Sequence, residues 1–249
     1  MWRLLSTLQW RALQLAKRSP LRKRDTVDMF FPAIRLHHLG VPPSWVYKDI
    51  FVEECYSGWG EGPYREIVDL GGNLGLATLY FLKRYPGARI TTVEANPHTV
   101  ERLQRNLASF ANVSIEPVAV AAEPGELDLW IDHDSASLLN ASITGRDRWT
   151  DHKFSSVKVK AVTLDEILPT QVDLMKVDIE GAEYDVLKSE CVTGARIKRI
   201  VLEAHDLDRR WEEFQALRRS LEERGFRCVD GERPEPWPSC TLVRFEAAV

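Results

Sequence analysis

The chain has 249 residues, of which 44% are hydrophobic and 28% are charged, as is typical of a folded globular protein. Its net charge of −4 gives no electrostatic basis for a nucleic-acid partner. The four cysteines form no CxxC pair, which disfavours a zinc site or a disulfide framework and is typical of a reducing cytoplasm. No segment reaches the ~18 consecutive apolar residues of a membrane-spanning helix. We therefore expect a cytoplasmic protein.

Residues 1–50 are predicted to form a basic, helical extension. Seven lysines and arginines precede the first acidic residue, Asp25. The first 18 residues can form a helix with Trp2, Leu5, Leu8 and Ala12 roughly along one side. Two interpretations stay open: the helix contacts an anionic membrane surface peripherally, or it packs on the domain as an ordinary terminal element.

Residues 51–249 are predicted to form the main domain, because from about Arg65 strand-like and helix-like segments alternate. Such alternation indicates βαβ units and a mostly parallel sheet. The segments GFRCVD and SCTLVRFEA close the chain as an antiparallel hairpin. The predicted fold is therefore α/β and Rossmann-like, with seven strands and helices on both faces. The strand segments before the hairpin are REIVDL, ARITTVEA, NVSIEPVAV, VDLMKVDIE and IKRIVLEA.

One insertion interrupts this alternation between the third and fourth strands. The segments GELDLWI and SSVKVKAV resemble an extra pair of strands around a polar stretch. Long loops at the carboxyl ends of parallel strands are where α/β proteins bind ligands. Residues 132–156 are therefore predicted to form a flap that faces the substrate.

The segment DLGGNLG, residues 69–75, lies between an apolar strand and a helix. Glycines suit a sharp turn with a ligand close to the backbone, and the helix start favours an anionic group such as a carboxylate. Asp69 precedes the glycines and would repel a pyrophosphate, whereas it suits a nucleoside–methionine cofactor. Glu94 follows about 20 residues later, where a carboxylate can accept ribose hydroxyls. The pattern predicts an adenosine-containing cofactor, with NAD as the main rival.

The segments IVDLGGNLGLATLYF, VEANP, AVTLDEIL, DLMKVDIEGAEYDVL and LEAH resemble the FkbM-type methyltransferase family. The resemblance implies a Rossmann-like methyltransferase fold and S-adenosyl-L-methionine as the cofactor. The reaction that it implies is O-methylation of a hydroxyl on a small-molecule or glycan acceptor: a sugar, a glycolipid or a polyketide-type natural product. It also implies a set of cofactor-binding positions, which are Tyr56, Asp69, Gly71, Asn73, Gly75, Glu94, Ala119 and Asp178.

Four polar residues follow the fourth and fifth strands: Asp178 and Glu180, then Glu203 and His205. All four are expected at the carboxyl edge of the sheet, beside the cofactor. An alcohol is a poor nucleophile at neutral pH, so a base or a metal must assist. In one mechanism His205 or Asp178 removes the hydroxyl proton and Glu180 orients the base or the substrate. In the other, Asp178 and Glu203 hold a hard divalent cation such as Mg²⁺.

Two other functions remain open at this stage. A nicotinamide-dependent oxidoreductase would share the fold, although the GGNLG spacing and the terminal hairpin disfavour it. A catalytically silent cofactor-binding protein would also share the fold, but it would not need four polar residues at the carboxyl edge. The sequence also leaves open whether the chain forms a homo-oligomer.

Overall fold

The N-terminal segment folds into a helix, a hairpin and a short helical turn. The computed structural model describes residues 2–18, 25–38, 42–58, 62–132, 141–144, 154–230 and 240–248. Helix α1 is followed by two antiparallel strands, which the sequence did not predict, and α2 continues into a π-helical turn, Lys48–Val52. The bounds are α1 (Trp2–Arg18), β1 (Thr26–Phe30), β2 (Ala33–His37) and α2 (Ser44–Tyr47).

The remaining elements alternate between strands and helices, as predicted. In chain order they are β3 (Glu66–Leu70), α3 (Leu76–Arg84), β4 (Arg89–Val93), α4 (Pro97–Leu107), β5 (Val113–Glu116), β6 (Ala119–Val120), β7 (Gly125–Asp132), β8 (Ala141–Ser142), β9 (Phe154–Val162), α5 (Leu164–Ile167), β10 (Leu174–Val177), α6 (Glu183–Val186), β11 (Arg199–His205), α7 (Leu207–Glu223), β12 (Phe226–Cys228) and β13 (Cys240–Ala247).

A seven-stranded sheet in the order β12-β13-β11-β10-β3-β4-β5 forms the centre of the structure. Strands β3, β4, β5, β10 and β11 are parallel, and β13 pairs antiparallel with both β11 and β12. The predicted Rossmann-like α/β fold with its C-terminal hairpin is therefore confirmed. The chain leaves β3 toward β4 on one side and returns to β10 on the other. Ligands of such sheets bind at this reversal, beyond the carboxyl ends of the strands.

Apolar residues are buried on both faces of the sheet. Neighbouring residues of a strand point to opposite faces, so each strand contributes to two cores. Ile67 packs in the core that contains α3, whereas Val68 packs in the core that contains α7. Helices thus cover both faces, as predicted. The predicted helix GAEYDVLKSECV is helical only over α6. The carbonyls of Leu187 and Ser189, which a longer helix would use, accept hydrogen bonds from the Arg224 guanidinium instead.

The insertion forms a second sheet, in the order β6-β9-β7-β8. Strands β7 and β9 pair antiparallel along their full length, so the predicted extra pair of strands is confirmed. The segment NVSIEPVAV is two strands rather than one, because Pro117 has no N–H and interrupts the ladder between β5 and β6. Most of the predicted flap, residues 133–140 and 145–153, lies outside the described residues.

The N-terminal segment packs against the same core as α3. Leu13 and Leu36 are fully buried in that core. The buried side of α1 carries Ser6, Gln9 and Leu13, whereas Leu8 and Ala12, which lie on the predicted apolar side, are exposed. Gln9 faces inward because its side-chain oxygen accepts the Phe30 N–H at 2.7 Å. The domain boundary at residue 51 stays a prediction.

Within the described parts of the chain, every helix is too short or too polar to cross a lipid bilayer. All four cysteines are free thiols.

Candidate active site

The glycine turn between β3 and α3 lies against the ends of two neighbouring strands. Gly71 has a φ of +79°, and a Cβ at this position would lie 1.7 Å from the carbonyl oxygen of Asp178. Only glycine therefore fits where the turn crosses the end of β10. The N–H groups of Gly71 and Gly72 donate to the carbonyl of Val93 at 3.0 and 2.8 Å. These contacts fix the turn between β10 and β4.

Glu94 follows β4, and its carboxylate is fixed by backbone hydrogen bonds. One oxygen accepts the Asn73 N–H at 2.8 Å, and the other accepts the Asn96 N–H at 2.8 Å. Burial raises the pKa of Glu94, and the two hydrogen bonds oppose that effect. Since a carboxylate has about four lone-pair sites, Glu94 can still accept hydroxyl groups from a ligand.

The first of two pockets, here named the turn pocket, lies between the glycine turn and the insertion sheet. Asn73 and Glu94 form its polar end. Its apolar walls are Ala119 at the start of β6, Leu129 on β7 and Ile143 after β8. The Glu94 carboxylate beside these apolar walls suits the ribose and base of a nucleoside.

The second pocket, here named the acidic pocket, lies on the other side of the β10 end. Five carboxylates line it, together with Tyr56, Lys176 and Cys240. Gly71, Asn73, Asp178 and Glu180 line both pockets, so the two cavities meet at the carboxyl end of β10. The five carboxylates belong to Asp49, Glu53, Asp178, Glu180 and Glu203.

Lys176 is buried in β10 and links the glycine turn to two carboxylates. Its Nζ lies 3.1 Å from Asp69 and 3.3 Å from Asp178, and it donates to the carbonyl of Gly71 at 2.7 Å. Burial disfavours the charged amine, but the two carboxylates outweigh burial and raise the pKa of Lys176. No role for Lys176 was predicted from the sequence. The available signal was a lone lysine within the buried strand LMKV.

Asp69 and Gly75, both predicted to contact the cofactor, lie beneath the turn rather than in the lining of either pocket. The Asp69 carboxylate is fully buried, and it accepts the Thr78 hydroxyl at 2.7 Å in addition to facing Lys176. Gly75 has a φ of +88° and begins α3. The geometry therefore gives both residues a supporting position. Of the cofactor contacts that the resemblance implies, those of Gly71, Asn73, Glu94 and Ala119 fit the structure better than those of Asp69 and Gly75, because these four residues line the turn pocket.

His205, at the end of β11, faces three of the acidic residues. Its Nε2 lies 3.6 Å from Glu180, 3.9 Å from Asp178 and 3.9 Å from Glu203. Its Nδ1 makes a hydrogen bond with Glu183, whose side chain is fully buried. The four residues predicted at the carboxyl edge are thus brought together. Glu183 was missed because its partner is 22 positions away in the chain.

Charge in this cluster shifts two pKa values upward. Burial opposes protonation of His205, but hydrogen bonds to Cys240 and Glu183 and the charge of Glu183 and Glu180 raise its pKa to about 12. The charge of Asp178, followed by burial, raises the pKa of Glu203. At neutral pH His205 is therefore an imidazolium in this arrangement, and Glu203 is more basic than an ordinary glutamate.

Two further positions show how distant segments complete the site. Glu180 has a φ of +53°, uncommon for a residue with a side chain, and its carbonyl accepts the hydroxyl of Ser142 in the insertion. Tyr56, which was predicted to cover the cofactor, is 5% exposed and lines the acidic pocket. Asp49 and Glu53 come from the N-terminal segment and were not predicted.

The described residues contain two groups whose ligand atoms are close enough to share a metal ion: Asp178, Glu180 and His205, and Glu203, His205 and Cys240. The predicted Mg²⁺ pair, Asp178 and Glu203, is divided between these two groups and stays a prediction.

Comparison with known proteins identifies several related methyltransferases. The chain is 28% identical to methyltransferase sdnD of Sordaria araneosa over 219 residues, covering 75% of this chain and 83% of that protein. It is 24% identical to the 31-O-demethyl-FK506 methyltransferase FkbM of Streptomyces tacrolimicus, covering 77% and 84% of the two chains. It is 23% identical to the 2-O-methyltransferase NoeI of Sinorhizobium fredii, covering 59% and 65%.

Among solved structures, the chain is similar to Aeropyrum pernix fibrillarin in complex with S-adenosyl-L-methionine. The identity is 13% and the TM-score is 0.43, and the match covers 74% of this chain and 67% of that chain. The model of the methyltransferase FkbM domain matches residues 69–228, from the glycine turn to β12. This match spans more than half of the chain and includes the four residues that line both pockets. The protein therefore belongs to the FkbM methyltransferase family.

Proposed function

We propose that this protein is an S-adenosyl-L-methionine-dependent O-methyltransferase that acts on a hydroxyl of a sugar, a glycolipid or a polyketide-type natural product. The observation that carries the proposal is the junction of the two pockets at Asp178 and Glu180. The turn pocket, with Glu94 and apolar walls, meets the acidic pocket at these two residues. A group carried at the end of the bound nucleoside would pass from the first cavity into the second.

The turn pocket fits the adenosine part of the cofactor. Glu94 offers free lone pairs to two ribose hydroxyls, while Ala119 and Leu129 offer apolar contact to the base. The methionine part would extend past Asn73 and Asp178 toward the acidic pocket. S-adenosyl-L-methionine carries a sulfonium and an ammonium group, so the carboxylates at the junction are favourable to it. When bound, it supplies an electrophilic methyl group.

The acidic pocket suits an acceptor hydroxyl that must lose a proton. Methyl transfer from a sulfonium is an in-line displacement, so the protein must align the hydroxyl and exclude water. We assign the proton acceptor to Glu203, since its raised pKa makes it the more effective base. The His205 imidazolium, fixed by Glu183, would hold the neighbouring carboxylates in place. His205 itself is a weaker candidate for the base, because its pKa of about 12 keeps it protonated.

The relatives support this class of acceptor. Two of them are described as O-methyltransferases, one acting on a demethylated FK506 and the other at a 2-O position. An oxidoreductase is disfavoured because the carboxylates of Asp178 and Glu180 line the turn pocket, where a pyrophosphate would be repelled.

The test is methyl transfer from labelled S-adenosyl-L-methionine to a panel of hydroxyl acceptors: neutral sugars, glycolipids and macrolide polyketides. We expect a methyl ether as the product. With an acceptor in hand, Glu203→Gln should lower kcat about 100-fold or more, since general-base catalysis contributes about 10²–10⁴-fold. The matched control is Glu116→Gln, an exposed glutamate at the end of β5. Equal activity of Glu203→Gln and the control would contradict the assigned base, and N-methyl products alone would contradict the acceptor class.

A further inference from the structure

Exposed large apolar side chains are concentrated in the N-terminal segment. In the described part of the chain, six of the seven lie between residues 4 and 46, with exposed fractions from 42% to 70%. The seventh is Val229. A folded domain usually scatters such residues, and their concentration in one place marks an interaction surface. The six are Leu4, Leu8, Leu15, Phe30, Trp45 and Val46.

Three of the six lie on the outer side of α1. The buried residues Ser6, Gln9 and Leu13 define the inner side of this helix. At 100° per residue, Leu4, Leu8 and Leu15 fall within a sector of about 40° on the opposite side. Arg11 and Arg18 are exposed and lie next to that sector. The outer side of α1 is thus both apolar and cationic.

The other three exposed residues flank α1. Phe30 lies beside the middle of the helix, because its N–H donates to Gln9. Trp45 and Val46 lie beside the C-terminal half of the helix, because Gln14 donates to the hydroxyl of Ser44. Exposed apolar side chains therefore also lie on two elements that pack against α1.

Charge indicates what covers this surface. Helix α1 contains three arginines, one lysine and no acidic residue, and the next six positions of the sequence add Arg22, Lys23 and Arg24. The whole chain nevertheless has a net charge of −4. The surface fits a partner that is both apolar and anionic. In a symmetric pair of copies it would instead face the same cationic surface, and the two would repel each other. A bilayer with anionic headgroups supplies both properties along the full helix.

The surface is continuous with the acidic pocket. Val46 is exposed and also lines that pocket, together with the adjacent Pro43 and Asp49. A membrane that contacts α1 and α2 would therefore lie at the rim of the pocket in which we place the acceptor.

We propose that α1, the tip of the β1–β2 hairpin and α2 form a peripheral binding surface for an anionic lipid bilayer. The leucines and Trp45 enter the interface, and the arginines contact the headgroups. If the proposed function holds, this orientation delivers the acceptor hydroxyl from a molecule held in the membrane, such as a glycolipid. The binding surface itself does not depend on the reaction.

The test is co-sedimentation of the full-length protein with phosphatidylcholine vesicles, with and without phosphatidylglycerol. We expect binding only to the anionic vesicles, and weaker binding as the salt concentration rises. Leu4→Ser with Leu15→Ser should weaken binding about tenfold or more, because the variant lacks two apolar side chains that are transferred from water into the bilayer on binding. Arg11→Glu with Arg18→Glu should weaken it to a similar or greater extent.

The matched control is Val229→Ser with Arg219→Glu, which changes an exposed apolar and an exposed basic residue elsewhere. This control should bind the anionic vesicles as wild type does. Calorimetric binding of S-adenosyl-L-methionine to each variant, without vesicles, reports folding and tests the cofactor separately. Absence of vesicle binding, or equal loss in the control, would overturn the proposal. So would a homodimer in sedimentation velocity that Leu4→Ser with Leu15→Ser dissociates, because a second copy would then cover the surface.

Discussion

Lys176 shows how one buried charge organises the site at the scale of single residues. It lies between Asp69 below the turn and Asp178 at the junction of the pockets, and it also holds the carbonyl of Gly71. Removing one partner of a buried ion pair leaves an uncompensated charge, which costs far more than removing both. Lys176 is therefore a positioning residue whose loss affects stability and cofactor binding together.

We predict that Lys176→Met lowers the free energy of unfolding by about 3–5 kcal/mol, because Asp69 is left buried without its cation. Adding Asp69→Asn should recover part of that loss. The control Lys188→Met removes an exposed ion pair with Asp185 and should change stability by less than about 0.5 kcal/mol. Denaturant unfolding measures all three variants. An unchanged midpoint for Lys176→Met would contradict the role given to this lysine.

Asp173 provides a prediction for pH. It accepts the N–H groups of Arg65 and Glu66 at 2.7 and 3.0 Å and pairs with Lys198 at 2.5 Å. Burial alone would raise its pKa, but these contacts outweigh burial and lower it. Because the folded pKa lies below the unfolded value of about 3.9, the stabilisation is complete above that value and is lost as pH falls through the folded pKa.

We therefore predict that Asp173→Asn is less stable than wild type by about 2 kcal/mol near pH 7, and that the difference shrinks below about pH 4. Denaturant unfolding at a series of pH values measures the difference. If the difference in unfolding free energy between wild type and Asp173→Asn stays constant down to the most acidic pH at which the protein folds, the assigned contacts are contradicted.

The sequence predicted those site residues whose evidence is local. The glycine turn and Glu94 belong to one βαβ unit, and the order of strands and turns already brings them together. Lys176 and Glu183 could not be assigned, since their partners Asp69 and His205 are distant in the chain and only packing determines the contacts. The burial of Asp69 beneath the turn was likewise not visible from its position near the glycines, and its contact with the cofactor stays a prediction.

At the scale of elements, the site depends on how closely the glycine turn approaches β10. A methyl group at Gly71 would overlap the carbonyl of Asp178, and the backbone there has a φ that favours glycine. The approach brings Asp178 and Asn73 into both pockets. The close contact between the turn and β10 therefore joins the turn pocket to the acidic pocket.

We predict that Gly71→Ala lowers stability by about 2–4 kcal/mol and abolishes measurable binding of S-adenosyl-L-methionine, because the turn must move away from β10. Gly87→Ala is the matched control, since a Cβ there meets nothing within 4 Å. Thermal unfolding and calorimetry separate the two effects. Wild-type binding in Gly71→Ala would show that the close approach is not needed.

Helices and strands were predicted correctly where the periodicity of apolar residues and the length of the segment indicate the same element. They were missed where these two signals disagree or are weak. The apolar segments that precede turns were correctly predicted as strands from their pattern alone; they are β3, β4, β10 and β11. The strands of the β1–β2 hairpin alternate between apolar and polar residues over only five positions each, TVDMF and AIRLH, and were missed because the pattern is so short. Helix α6 ends early because the Arg224 guanidinium binds the carbonyls of Leu187 and Ser189.

At the scale of the whole molecule, two segments outside the seven-stranded sheet complete the site. The insertion supplies the apolar wall of the turn pocket through Leu129 and Ile143, and the N-terminal segment supplies Asp49 and Glu53 to the acidic pocket. In the proposed function, the sheet therefore positions the cofactor and the reacting groups. The added segments determine the shape and charge that an acceptor meets, which is why the sequence patterns of the sheet do not identify the acceptor.

The most direct test of this account is calorimetric binding of S-adenosyl-L-methionine and S-adenosyl-L-homocysteine to wild type, Glu94→Ala and the control Glu116→Gln. Because a charged hydrogen bond contributes about 1.5–3 kcal/mol, we predict that Glu94→Ala raises both Kd values about 10-fold to 100-fold, while the control binds as wild type does. Absence of binding to wild type, or an unchanged Kd in Glu94→Ala, would contradict the assignment of the turn pocket to this cofactor.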